Sequence, residues 1–109
     1  LWAHETTNDS TWQVADIKSG SNSGAPDGIT AMGTRLYFRA DDGNTGAELW
    51  AHETTNDSTW QVADIYSGSF SSFVYDITVM GTKLFFSAHN GYTSYELWMM
   101  EIEHTITYT

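Results

Sequence analysis

The chain has 109 residues, 40% apolar and 15% aromatic, which is material for one ordinary domain or a short array of repeats with a packed core. Fourteen acids stand against Lys18, Arg35, Arg39 and Lys83, a net charge of −10, so the composition argues against nucleic-acid binding and against docking on an anionic membrane surface. With no cysteine there are no disulfides, thiolate metal sites or cysteine nucleophiles, and no apolar run reaches the roughly 18 residues of a membrane span.

Read from its first residue, the chain opens on LWAHE and then TWQVADI (residues 11–17), two short segments of period 2 separated by the turn-forming TTNDS. Leu1 stands in mid-pattern, which reads as a processed mature chain or a fragment cut from a longer one. The polar stretch SGSNSGAPDG leads into DGITAMG, and MGT is short enough for a hairpin loop. In RLYFRA, Leu36, Phe38 and Ala40 alternate with Arg35, Tyr37 and Arg39. DDGNTG then joins this strand to ELWAHE, and TWQVADI returns at 59–65.

That return is part of a period of 48. Leu1-Trp2, Leu49-Trp50 and Leu97-Trp98 mark it, and residues 1–48 match 49–96 at 32 of 48 positions without a gap, the first 17 consecutively. A fixed period of this size points to a propeller, solenoid or other array. In the second copy Leu84, Phe86 and Ala88 repeat one strand face while Lys83, Phe85 and Ser87 change the other, as expected for a strand with one core face.

The predicted fold is therefore all-β, with tandem four-stranded antiparallel blade-like units resembling those of a β-propeller. Residues 1–17 form an N-terminal half repeat, 18–65 the first complete repeat with its leading loop, and 66–109 a second repeat whose fourth strand is the divergent EIEHTITYT. Such an array is incomplete on its own, because two and a half units leave faces and edges open.

Catalytic patterns are weak. His4-Glu5 and His52-Glu53 open the string HETTN, in which Asn stands where a zinc protease has its second histidine, and the segment reads as strand and turn. His89 and His104 have no partner at ligand spacing. Asp16 and Asp64 occupy equivalent positions in different units, so they read as repeated structural carboxylates accepting loop amides and not as an acid/base pair. No cofactor is expected. Asp41, Asp42 and Asn44 offer the oxygen donors calcium takes, or alternatively form a plain acidic hairpin turn with Gly43 at positive φ. Asn8 and Asn56 each begin an N-x-S glycosylation acceptor.

Two aromatic sets remain. Trp2, Trp12, Trp50, Trp60 and Trp98 follow the repeat, which suits packing between units or, alternatively, stacking on sugar rings. Phe70, Phe73, Tyr75, Tyr92 and Tyr95 lie in second-copy loops where the first copy has Asn22, Ala25, Asp27, Asn44 and Ala47. Aromatic enrichment confined to one unit marks a contact surface, here assigned to self-association.

Several spaced motifs together resemble the ELWxxDGT repeat of bacterial and archaeal surface and secreted proteins, a β-propeller-like repeat. They are Glu48-Leu49-Trp50 with Glu53-Thr54-Thr55, Val14–Ser21 and Val62–Ser69, Gly33–Ala40 and Gly81–Ala88, and Asp42-Gly43-Asn44-Thr45-Gly46 before ELW. The chain departs from that pattern at ETT, which lacks the turn glycine, and after Trp98, where no such turn follows. The resemblance implies an extracellular or cell-surface β-rich array without an established catalytic role. The expectation is thus a non-enzymatic structural or adhesive protein that binds copies of itself head to tail, in a ring or a filament. The alternative is a carbohydrate-binding propeller whose partners are glycans.

Overall fold

A computed structural model describes residues 1–7, 9–18, 24–63, 65–66, 71–92, 95–101 and 106–108. The described chain contains ten strands: β1 (Trp2–Glu5), β2 (Ser10–Gln13), β3 (Asp27–Met32), β4 (Arg35–Asp41), β5 (Ala47–Glu53), β6 (Ser58–Ala63), β7 (Tyr75–Met80), β8 (Lys83–His89), β9 (Tyr95–Glu101) and β10 (Ile106–Tyr108). The fold is all-β. The strands form a two-stranded β1-β2 sheet and two meanders, β3-β4-β5-β6 and β7-β8-β9-β10, all pairs antiparallel.

Local chemistry fixes the joints. Gly33 and Gly81, each at φ 62°, supply the left-handed residue that the two-residue β3-β4 and β7-β8 turns demand. At the β1-β2 and β5-β6 turns that position belongs to Asp9 (φ 59°) and Asp57 (φ 58°), among the residue types that tolerate it best. Their carboxylates reach back to His4 (3.1 Å) and His52 (3.3 Å), while Thr11 and Thr59 bond the other ring nitrogen of each histidine at 2.7 Å. An Asp–His–Thr buckle thus braces this turn in both copies. TWQVADI contributes a shorter strand than its pattern suggests, ending at Gln13 in the first copy and Ala63 in the second.

Each full sheet has a front and a back face, set by strand alternation and cross-strand pairing. In the first, Leu36, Phe38 and Ala40 pair with His52, Trp50 and Glu48 on the front; Tyr37 pairs with Ala51, and Arg39 with Leu49, on the back. In the second, Leu84, Phe86 and Ala88 pair with Met100, Trp98 and Glu96 on the front, while Phe85, Ser87 and His89 pair with Met99, Leu97 and Tyr95 on the back.

The sheets stack in one direction. Leu1, on the back of the β1-β2 hairpin, packs with Phe38 and Ala40 on the front of the first sheet, where Trp50, Val14 and Ile17 join them. The back of that sheet, through Tyr37, Leu49 and Ala51, packs on Leu84, Phe86, Ala88, Trp98 and Met100 from the front of the second. The two full sheets come closest along their first strands, β3 and β7, where the Thr30 hydroxyl donates to the Ile77 carbonyl at 3.2 Å.

Burial follows this order. Leu49 is fully enclosed and Leu1 is 8% exposed, yet Leu97 at the equivalent position of the last sheet is 51% exposed. Leu49→Ala is therefore expected to cost about 2–5 kcal/mol, and Leu97→Ala less than about 0.5 kcal/mol. Urea unfolding of the two variants measures the contrast, and equal losses would contradict the stacking order.

Candidate functional site

The passage from the first full sheet to the second is secured by a buried carboxylate. Glu48 is fully enclosed and accepts the backbone N–H of Ile65 at 2.7 Å and of Ser72 at 3.2 Å. Ser72, also fully buried, donates its N–H (2.9 Å) and hydroxyl (3.1 Å) to the Ala47 carbonyl, and its own carbonyl accepts the N–H of His89 at 2.9 Å. One residue thereby ties the start of β5 to the end of β8. Gly24, 48 residues earlier, makes the corresponding bond to Asp41 N–H at 2.9 Å. Glu96, the repeat of Glu48, is exposed.

Sequence reasoning gave the amide-accepting role to Asp16 and Asp64. Asp16 is exposed, and Asp64 lies outside the described residues. Glu48 fills an amide-accepting role of this kind, at the start of β5.

A second carboxylate is held ionised at the far end of β5. Glu53 accepts Arg35 Nε at 2.9 Å and the Thr55 hydroxyl at 2.9 Å. Hydrogen bonding from Thr34, then Arg35 and Thr55, draws its pKa from 4.5 down to about 2. Arg35 also lies over the Trp60 ring, 5.3 Å from its centroid.

The aromatic residues of the second unit form a connected row. Tyr66 stacks on His89 (5.4 Å), His89 meets Tyr95 edge-on (5.6 Å), and Tyr95 lies against Tyr75 (6.2 Å). Arg39 caps the row, 4.7 Å from the Tyr75 ring centroid, while its guanidinium bonds Asp27 at 2.8 Å. Tyr75 and Tyr95 begin strands β7 and β9, although their sequence context reads as loop. Phe73 adopts φ 50° and is 45% exposed; Tyr92 is 93% exposed and stands apart from the row at the tip of its turn. Phe70 lies outside the described residues, as do His104 and the acceptor Asn8.

The tryptophans divide by position. Trp98 is 9% exposed within the core between the full sheets, Trp60 packs against the same core, and Trp50 packs against the smaller one. Trp2 and Trp12 are 66% and 46% exposed. Asn56 is exposed on its turn and accepts the Ser58 N–H at 3.1 Å.

In the acidic loop Asp41 accepts the Gly43 N–H (2.7 Å), and Asp42 accepts those of Asn44 (2.8 Å) and Thr45 (2.9 Å). These bonds hold Asp42 below the usual carboxylate range against the opposing effect of burial. Gly43 has φ 88°, as the turn reading requires. Among the described residues no three His, Cys, Asp or Glu side chains gather as metal ligands, and no helix is long and apolar enough to cross a membrane.

Described residues bound two hollows of about 320 Å³ each. One runs between β3 and β7, bounded by Asp27, Thr30, Arg39, Tyr75 and Asp76. The other is aromatic, lined by Ile65, Tyr66, Asn90, Gly91, Tyr92 and Trp98. Gly91 is obligatory there: its φ is 92°, and a Cβ would fall 2.8 Å from the Tyr66 ring.

No family model, no curated protein and no solved structure matches this chain.

Glu53 is deprotonated more readily in the folded chain than in the unfolded one, so its contribution is fully present above about pH 4.5 and is lost as pH falls toward about 2. Acid titration of the unfolding midpoint should show a loss across that window which Glu53→Gln flattens. Glu48→Gln should lower stability by about 1–3 kcal/mol, and Glu96→Gln by less than about 0.5 kcal/mol, in the same denaturant assay.

Proposed function

We propose that this chain is a non-enzymatic structural or adhesive repeat protein of the cell surface or extracellular space, whose propeller-like units assemble by stacking, within a chain and between copies. The observation that carries this reading is the recurrence of one contact. The back of the hairpin packs on the front of the first full sheet, and the back of that sheet packs on the front of the second. The contact is head to tail, so each addition leaves a fresh surface of the same kind. Repetition of such a contact closes a ring when its rotation permits and otherwise extends a filament.

Other features agree. The sheets approach along their first strands, as blades do around an axis. The resemblance to the ELWxxDGT repeat supplies the surface or secreted location.

Light scattering of the 109-residue chain across a concentration series is the test. Masses above 12.2 kDa, either a discrete multiple or open-ended growth, are expected. A folded 12.2 kDa species at every concentration would remove self-assembly as the function.

The aromatic hollow favours a second reading, a glycan site. Tyr66, Tyr92 and Trp98 offer apolar faces beside the Asn90 amide, the combination that suits a sugar ring and its hydroxyls. Titration of tryptophan fluorescence over a glycan panel should then give saturable, sugar-competed quenching that Tyr92→Ala weakens at least about tenfold, a loss of about 1.4 kcal/mol. A flat response across the panel sinks this alternative.

A further inference from the structure

We infer that the open back of the second full sheet, centred on Leu97, receives the open front of the β1-β2 hairpin, centred on Trp2, of a second copy of this chain. The inference rests on the self-assembly reading and gives it an interface.

The repeat defines the pairing. Leu1 and Trp50 share the core between hairpin and first sheet, and Leu49 and Trp98 share the core between first and second sheets. In each case the leucine comes from the back of one unit, and the tryptophan from the front of the unit that follows. Among the described residues the members of the same motif that stand exposed are Leu97, 51% exposed, and Trp2, 66% exposed, at opposite ends of the stack. Leu97 belongs to the face that Leu49 buries completely, and Trp2 to the face on which Trp98 is 9% exposed. A second copy brings them together in the contact that the chain already makes twice.

The surroundings fit this occupant. Phe85 and Met99 are only half-buried beside Leu97, and Tyr95, 50% exposed, flanks it on the same face. Phe85, Leu97 and Met99 make an exposed apolar patch bordered by Ser87, His89 and the Lys83–Glu101 pair, whereas the equivalent face of the first full sheet is covered through Tyr37, Leu49 and Ala51. The hairpin supplies two strands, not four, so the contact is smaller than the internal ones and belongs with weak, reversible interfaces. Association therefore depends on concentration.

The contact is heterologous, which gives a test that an isologous dimer or a loop-mediated one would fail. Leu97→Asp destroys the back surface and leaves Trp2 intact; Trp2→Asp does the reverse. Both positions are exposed, so circular dichroism and denaturant midpoints should match the unaltered chain. Sedimentation velocity is expected to show at least about tenfold weaker association for each variant alone, about 1.4 kcal/mol. Mixing the two should restore one contact and stop there, giving a capped pair of twice 12.2 kDa. If the unaltered chain associates and both variants associate equally well, this interface is wrong while self-assembly stands. If the unaltered chain never exceeds 12.2 kDa, both readings fall together.

Discussion

A four-stranded sheet that is apolar on both faces is stable only between neighbours, and the rest of this molecule follows from that constraint. Leu36, Phe38 and Ala40 on one face of the first sheet, and Tyr37, Leu49 and Ala51 on the other, cannot all be removed from water by folding the sheet on itself. The hairpin covers one face and the second sheet the other. Burying a leucine of this kind is worth about 1.5–3 kcal/mol, so each unit derives much of its stability from its neighbours. The repeat is a stacking device first, and its turns and carboxylates serve that end.

The buried carboxylate of Glu48 makes the stacking order specific. Hydrophobic faces alone would tolerate sliding, since dispersion and desolvation are nearly non-directional. By fixing Ile65 N–H and Ser72 N–H together, Glu48 sets where the chain leaves one sheet and enters the next. Ser72 then reaches both β5 and the end of β8, so an error in placement would leave several enclosed polar groups without partners. The polar groups supply register, and the apolar ones supply most of the stabilisation.

Much of this was legible in the sequence. The 48-residue period and the alternation in RLYFRA and KLFFSA gave the strand content and the separation of units, because side chains of a strand alternate faces regardless of context. MGT was legible as a hairpin loop from its length, and its glycine takes the left-handed position of that turn. Less legible was the difference between identical residues. Leu1, Leu49 and Leu97 precede tryptophan in the same motif, yet one is exposed, because exposure depends on what lies across the interface. Tyr75 and Tyr95 read as loop residues, since strand ends carry no pattern long enough to show a period; pairing with Ser87 and His89 places them in strands. Glu48 gave no sign of burial, for a carboxylate is rarely enclosed and its amide partners lie 17 and 24 residues onward.

The duplicated segment has a consequence for how the chain reaches its native state. Residues 1–17 and 49–65 are identical, and their hairpins carry the same Asp–His–Thr buckle, so neither can be told from the other by its own contacts. Both are claimants for the free edge of β4, and only connectivity decides between them: β5 follows β4 through five residues, whereas the first hairpin must return around β3. The short DDGNTG loop is therefore an arbiter of topology as well as a turn. Lengthening it would erode the kinetic advantage of the correct hairpin and admit strand exchange within one molecule, a failure to which near-identical repeats are prone.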